Sequence, residues 1–123
     1  MYPHTQITEK IISAAIEVHK LLGPAYNEPI YQVALAHEFN LRQIPYVREK
    51  WIDVSYKGII VGKYRLDFLV DDVILVELKA VSALSDVHLS QMLSYLQATS
   101  KKVGLIINFA QLRLVDGIKR VVL

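Results

Sequence analysis

Apolar residues recur at helical spacing from Thr8 to Leu22, where Ile11, Ile12, Ala15, Val18 and Leu22 line one side, and Gly23-Pro24 ends the run. A second helix is predicted from near Asn27 to about Arg42. Pro29 is tolerated in its first turn, Ala34, Leu35 and Phe39 continue its apolar side, and "QIPY" breaks it. The pattern then shortens to strands over Val47–Tyr56, Tyr64–Val70 and Val73–Ala80, with Gly58 and Gly62 in the first connection. Ser85 is placed to cap a third helix that carries Val87, Leu89, Met92, Leu93 and Leu96 inward, and Lys101 and Lys102 suit its negative C-terminal end. "KVGLIINF" has the β-branched centre of a buried strand, and "LRLVDGIKRVVL" reads as a closing hairpin around Asp116-Gly117. The predicted order is α-α-β-β-β-α-β-β-β. A helix between "ILVELKA" and "GLIINF" implies a right-handed crossover, so those two strands should run parallel within a central mixed sheet flanked by helices, an α/β fold.

Composition narrows the setting more than the function. A chain of 123 residues with 53% apolar residues is expected to fold as one domain, 1–123, around a sizeable core. No apolar run reaches the roughly 20 residues that a membrane span needs, so no membrane partner is expected. The opening "MYPHTQITEK" lacks a basic segment followed by an apolar one, so no secretory leader is expected either. With no cysteine there is neither a disulfide nor a thiolate metal site, in keeping with a cytoplasmic protein. A net charge of +2 is too small to announce a nucleic-acid binder, so any such function must rest on where the charges lie.

The informative charges interrupt two strands that otherwise look like core. In "YRLDFLVDDVILVELKA", Arg65, Asp67, Glu77 and Lys79 stand among residues apolar enough for the middle of a sheet. Burying an unpaired ion costs several kcal/mol. Alternation puts Glu77 and Lys79 on one face, about 7 Å apart. A two-residue Asp71-Asp72 loop would set Asp67 opposite Val76, whereas a three-residue loop or a bulge would set it opposite Glu77. Opposed carboxylates repel unless a cation lies between them. Asp67 and Glu77 are therefore candidate ligands for Mg²⁺ (or Mn²⁺), with the Leu78 carbonyl as a third oxygen and Lys79 to orient the attacking water or neutralise the transition state. That set suits phosphodiester hydrolysis. The competing reading is an ordinary hairpin with solvent-facing salt bridges. The apolar Leu75, Val76 and Leu78 weigh against it, because a salt-bridged strand is normally an edge.

D-x9-E-x-K across a hairpin, with a helix before it and a helix and strand after it, resembles the PD-(D/E)XK nuclease superfamily. More narrowly, "AAIEVHKLLGPAYNEPIY", "YRLDFLV", "VELKA", "LSQMLSYL", "GLIINF" and "VDGIKRVVL" resemble the small bacterial and archaeal GxxExxY proteins. In the namesake motif the glycine position is Ala25, while Glu28 and Tyr31 are kept. The resemblance implies a restriction-endonuclease-like core and the roles just given to Asp67, Glu77 and Lys79. It further implies that Glu28 reaches the same metal centre, and that Gln91 and Tyr95 form the Q-x3-Y element of some related nucleases. Four residues apart, those two share a helical face with His88.

Several residues keep two readings. Glu28 also suits a helix N-terminus through the macrodipole. Tyr31, one turn on, is either a substrate contact or a core aromatic with a satisfied hydroxyl. His88 and Arg65 are candidate substrate contacts, whereas His19, on an apolar face, is expected to make a structural hydrogen bond. Arg65, Arg113, Lys119 and Arg120 either form a basic rim for a phosphate backbone or a solvated strand face. Trp51 and Tyr56 are expected to pack on the sheet, unless one is exposed to stack on a base. The expected function is thus a metal-dependent nuclease acting on nucleic acid, DNA first, with a homodimer as one possible assembly through the terminal hairpin. The rivals are an inactive nuclease-fold module that binds nucleic acid or a protein, and a hydrolase of another phosphate ester.

Overall fold

The computed structural model describes residues 3–123; Met1 and Tyr2, the start of the segment read for a leader, lie outside them. Helices α1 (Thr5–Leu22) and α2 (Glu28–Leu41) precede three strands, β1 (Tyr46–Tyr56), β2 (Ile59–Val70) and β3 (Ile74–Lys79). Helix α3 (Asp86–Thr99) then crosses to β4 (Val103–Asn108), and a single 3₁₀ turn over Leu114–Gly117 leads into β5 (Ile118–Val122). The strands lie in the order β1-β2-β3-β4-β5, with β3 and β4 parallel and the other neighbours antiparallel. This is the mixed sheet flanked by helices that the sequence predicts.

Two apolar layers sandwich the sheet. On one face Phe68, Val70, Ile74, Val76, Leu78 and Leu105 pack against Ile11 of α1 and Leu35 and Phe39 of α2. On the other, Ile52, Leu66, Leu69, Leu75 and Ile106 pack against Met92 and Leu96 of α3. β3 and β4 are covered on both sides, which is why apolar residues stand at successive positions, Ile74 to Val76 and Leu105 to Ile107, rather than at alternate ones. Ser85 caps α3 in a reciprocal pair with His88, whose Nδ1 accepts the Ser85 amide. His19 makes its structural bond, Nε2 to the Gln111 carbonyl at 2.7 Å.

Three expectations are corrected. The first connection does not span Gly58 to Gly62. β1 and β2 form one long ribbon that turns at Lys57-Gly58, where both φ angles are positive, and Gly62 lies within β2 opposite Val54, beside a register shift. The closing segment is one strand, not a hairpin. Leu114 is buried in the layer beneath α1, so the chain coils there into the 3₁₀ turn holding Asp116 and Gly117, and only Ile118–Val122 pairs with β4. Finally, Val87 and Leu93 of α3 face solvent; its inward side is Leu89, Met92, Tyr95 and Leu96. Among the described residues no helix is long and apolar enough to cross a membrane.

Candidate active site

The three residues Asp71, Asp72 and Val73 separate β2 from β3, which selects the longer loop and pairs Phe68 with Val76, Leu69 with Leu75 and Val70 with Ile74. One step further along, Asp67 faces Glu77, and there the regular ladder ends. The side chains take over its hydrogen bonds. The Asp67 amide donates to Glu77 Oε1 at 2.8 Å, and the Leu78 amide donates to Asp67 Oδ2 at 2.8 Å. The phase of β2 also changes at this point, since Leu66 packs toward α3 but Phe68 toward α1 and α2. Across from Asp67 on β1, Glu49 has a positive φ, and the β1–β2 pairing skips that position. This distortion turns the Asp67 carboxylate into the gap between the diverging strands.

Glu77 is only 6% exposed, and its Oε2 accepts the Tyr64 hydroxyl at 2.9 Å. Burial first, and the Asp67 charge second, push its pKa up to about 7; the Asp67 amide, the Tyr64 hydroxyl and the Lys79 ammonium pull the other way. The Tyr64 ring stacks on Tyr95 of α3, with centroids 4.2 Å apart. Burial raises the pKa of both phenols, keeping them as neutral donors. Replacing Tyr64 by Phe should therefore move Glu77 further upward. The variant should lose about 1 to 2 kcal/mol more stability at pH 8 than at pH 5, because the missing bond served the charged carboxylate. Paired denaturant melts at the two pH values measure this, and an equal loss at both would contradict it.

The structure gathers some of the expected residues and leaves others apart. Asp67, Glu77 and Leu78 meet as described, with Lys79 near enough to stabilise the Glu77 charge. Tyr95 reaches the cluster through Tyr64. Glu28 opens α2 one turn before Gln32, on the same helical face. Tyr31 is fully buried, its hydroxyl on the Gly23 carbonyl and its ring stacked on Phe109, so it serves the core and offers a substrate no surface. His88 is engaged in the α3 cap, and Gln91 is exposed one turn from Tyr95. Arg65 lies exposed on β2, 3.6 Å from Glu49. The suggested basic rim does not assemble. Arg120 turns inward to Thr8 of α1 at 2.9 Å, three strands away from Arg65. Ala25 needs no positive φ; Gly23 takes that conformation instead.

Two participants were missed. Gln32 of α2 donates from Nε2 to Asp67 Oδ1 at 2.7 Å, and Tyr64 holds Glu77. The spacing of Gln32 four residues after Glu28 was a usable signal. Tyr64 gave none, because its partner depends on a register that the sequence left open.

Each of the four carboxylate oxygens accepts one hydrogen bond and keeps a second lone pair. The Leu78 carbonyl faces the same gap as its amide, as in any antiparallel pair. Hard oxygen donors around two mutually repelling acids suit a divalent cation such as Mg²⁺. Among the described residues no three His, Cys, Asp or Glu side chains form a metal-ligating group, so Glu28 does not stand as a third acid beside these two.

No curated protein and no solved structure matches the chain. A family model described as the PD-(D/E)XK nuclease superfamily matches residues 5–121. That match runs from the first turn of α1 into β5 and so covers every element that shapes the site: the chain belongs to the PD-(D/E)XK nuclease superfamily.

Proposed function

We propose that this protein is a metal-dependent nuclease that hydrolyses phosphodiester bonds in DNA. The observation that carries the reading is the crossed pair of bonds in which the Asp67 amide donates to the Glu77 carboxylate and the Leu78 amide donates to the Asp67 carboxylate, which fixes two acids side by side where the strands part. Asp67 and Glu77 would hold Mg²⁺, with Mn²⁺ as a substitute and the Leu78 carbonyl as a further oxygen ligand. When bound, the ion supplies a more acidic water and a polarised phosphoryl group. Gln32 and Tyr64 act by fixing the two carboxylates, one from α2 and one from β2. Lys79 orients the attacking water and balances charge gathering on the phosphoryl oxygens. Glu28 and Gln91 approach the substrate from the helices on either face, Gln91 to hold a phosphate or a water. The narrower resemblance to GxxExxY proteins agrees with this assignment. A cytoplasmic setting suits the substrate, and a second copy across the β5 edge would supply the second centre needed to cut both strands.

The test is cleavage of single-stranded, duplex and branched DNA with Mg²⁺. Wild type should cut at least one of them, and Lys79→Ala should do so about 100- to 1,000-fold more slowly. Equal rates would mean that the nuclease reading is wrong. DNA binding with no cleavage by the wild type would leave an inactive binding module.

A further inference from the structure

Beyond the acids, the β1–β2 ribbon carries surface that the chemistry just described does not use. Trp51 is 58% exposed although it sits within a strand. It lies directly opposite Arg65, whose guanidinium is 5.7 Å from the ring centroid. Directly opposed residues share a face, and Leu66 points toward α3, so Trp51 and Arg65 occupy the other face. Gln32 of α2 reaches Asp67 from that same side. Arg65 precedes Asp67 by two residues, about 7 Å along the strand.

The ribbon as a whole is also basic, although Lys50, opposite Leu66, lies on its other face and Lys63 is paired with Asp53. From Tyr46 to Arg65 there are five basic residues (Arg48, Lys50, Lys57, Lys63, Arg65) against two acids (Glu49, Asp53), a local excess of three in a chain whose total is +2. The ion pair that engages Arg65, with Glu49, is solvent-exposed and hence weak, so a phosphate can replace it. Cationic and aromatic side chains interleaved on one ribbon are the ingredients of a backbone-tracking groove with a stacking surface.

We propose that Trp51 and Arg65 form a platform on which an unpaired base of the substrate stacks, with its phosphate beside Arg65, so that the strand is held next to Asp67. This rests on the nuclease reading and narrows its substrate to single-stranded or locally opened DNA. A base inside a duplex already has both faces covered by its neighbours and cannot use the indole.

Trp51 is the sole tryptophan, so its emission reports this position alone. A 12-nucleotide oligothymidylate is titrated into wild type in EDTA, and again with Ca²⁺ in place of Mg²⁺; a duplex of equal length is the comparison. The single strand should quench Trp51 saturably, the duplex much less, and added salt should weaken both. By anisotropy of a labelled strand, Trp51→Ala should bind about tenfold more weakly and Trp51→Tyr should recover most of the loss. Unchanged emission on binding, equal quenching by duplex, or wild-type affinity in Trp51→Ala would each overturn the platform. So would emission that tracks protein concentration without DNA, together with a dimer lost in Trp51→Ala, since the ribbon would then pair two copies. Mg²⁺-dependent cleavage with Trp51→Ala indistinguishable from wild type removes the platform alone. Trp51-dependent binding without cleavage of any DNA removes the nuclease reading alone.

Discussion

Asp67→Asn should lower Mg²⁺-dependent cleavage by about a thousandfold or more while leaving the fold intact. The substitution is nearly isosteric, so the amide oxygen can still accept from Leu78, or from Gln32, as the carboxylate does now. What disappears is one of two negative charges, and with it half of the charge available to hold a divalent ion. The same change has a second consequence that a merely structural residue would not share. Asp67 is the main neighbouring charge that raises Glu77, so in the variant Glu77 should titrate lower, toward the ordinary carboxylate range. Single-turnover cleavage and carboxyl NMR titration of Glu77 measure the two effects. Retention of wild-type cleavage would remove Asp67 from the chemistry. An unmoved Glu77 would mean that burial alone raises it.

The second large effect is the dependence of stability on pH in metal-free protein. Glu77 titrates at about 7 when folded against 4.5 for the free side chain, so between those values the folded state holds the extra proton. Its contribution is complete below about pH 4.5 and is lost as pH rises through 7, amounting to about 3 kcal/mol. Denaturant melts in EDTA at pH 5 and pH 8 should show wild type losing about that much more than Glu77→Gln, which cannot ionise. Mg²⁺ should restore the loss at pH 8 and do little at pH 5, where protons compete for the same oxygens. Parallel pH curves for the two proteins would place the Glu77 titration elsewhere.

How much could be read beforehand depended on how local each cause was. The periodicities of α1 and α2, the Ser85 cap, the His19 bond and the parallel β3–β4 pair follow from short stretches of chain and were legible. The meeting of Asp67 with Glu77 turned on whether Val73 belongs to the loop or to the strand, and an apolar residue after two aspartates is compatible with both. Asp71 and Asp72 both adopt positive φ, a conformation aspartate tolerates better than most residues, and this gives Val73 to the loop. The sequence also suggested that only a cation could reconcile the two acids. Backbone amides already do part of that work, and no pattern of residues displays where a backbone donor will point. Gln32 and Tyr64 join the site across 35 and 13 residues of chain, distances at which only the folded arrangement decides who meets. The last segment misled because "LRL" alternates like a strand, whereas burial of Leu114 under α1 outweighs that alternation.

Strand order across the sheet equals strand order along the chain. Assembly can therefore proceed by accretion, each strand docking on the edge its predecessor has just made, with nothing to reopen. The β1–β2 ribbon closes over a two-residue turn and β3 follows after three, so these joins sacrifice little chain entropy. The excursion through α3 before β4 can settle is the one long closure in the middle of the sheet, and there the folding barrier should be concentrated. The two acids, carried by β2 and β3, would then meet before the scaffold that shields them from behind is complete.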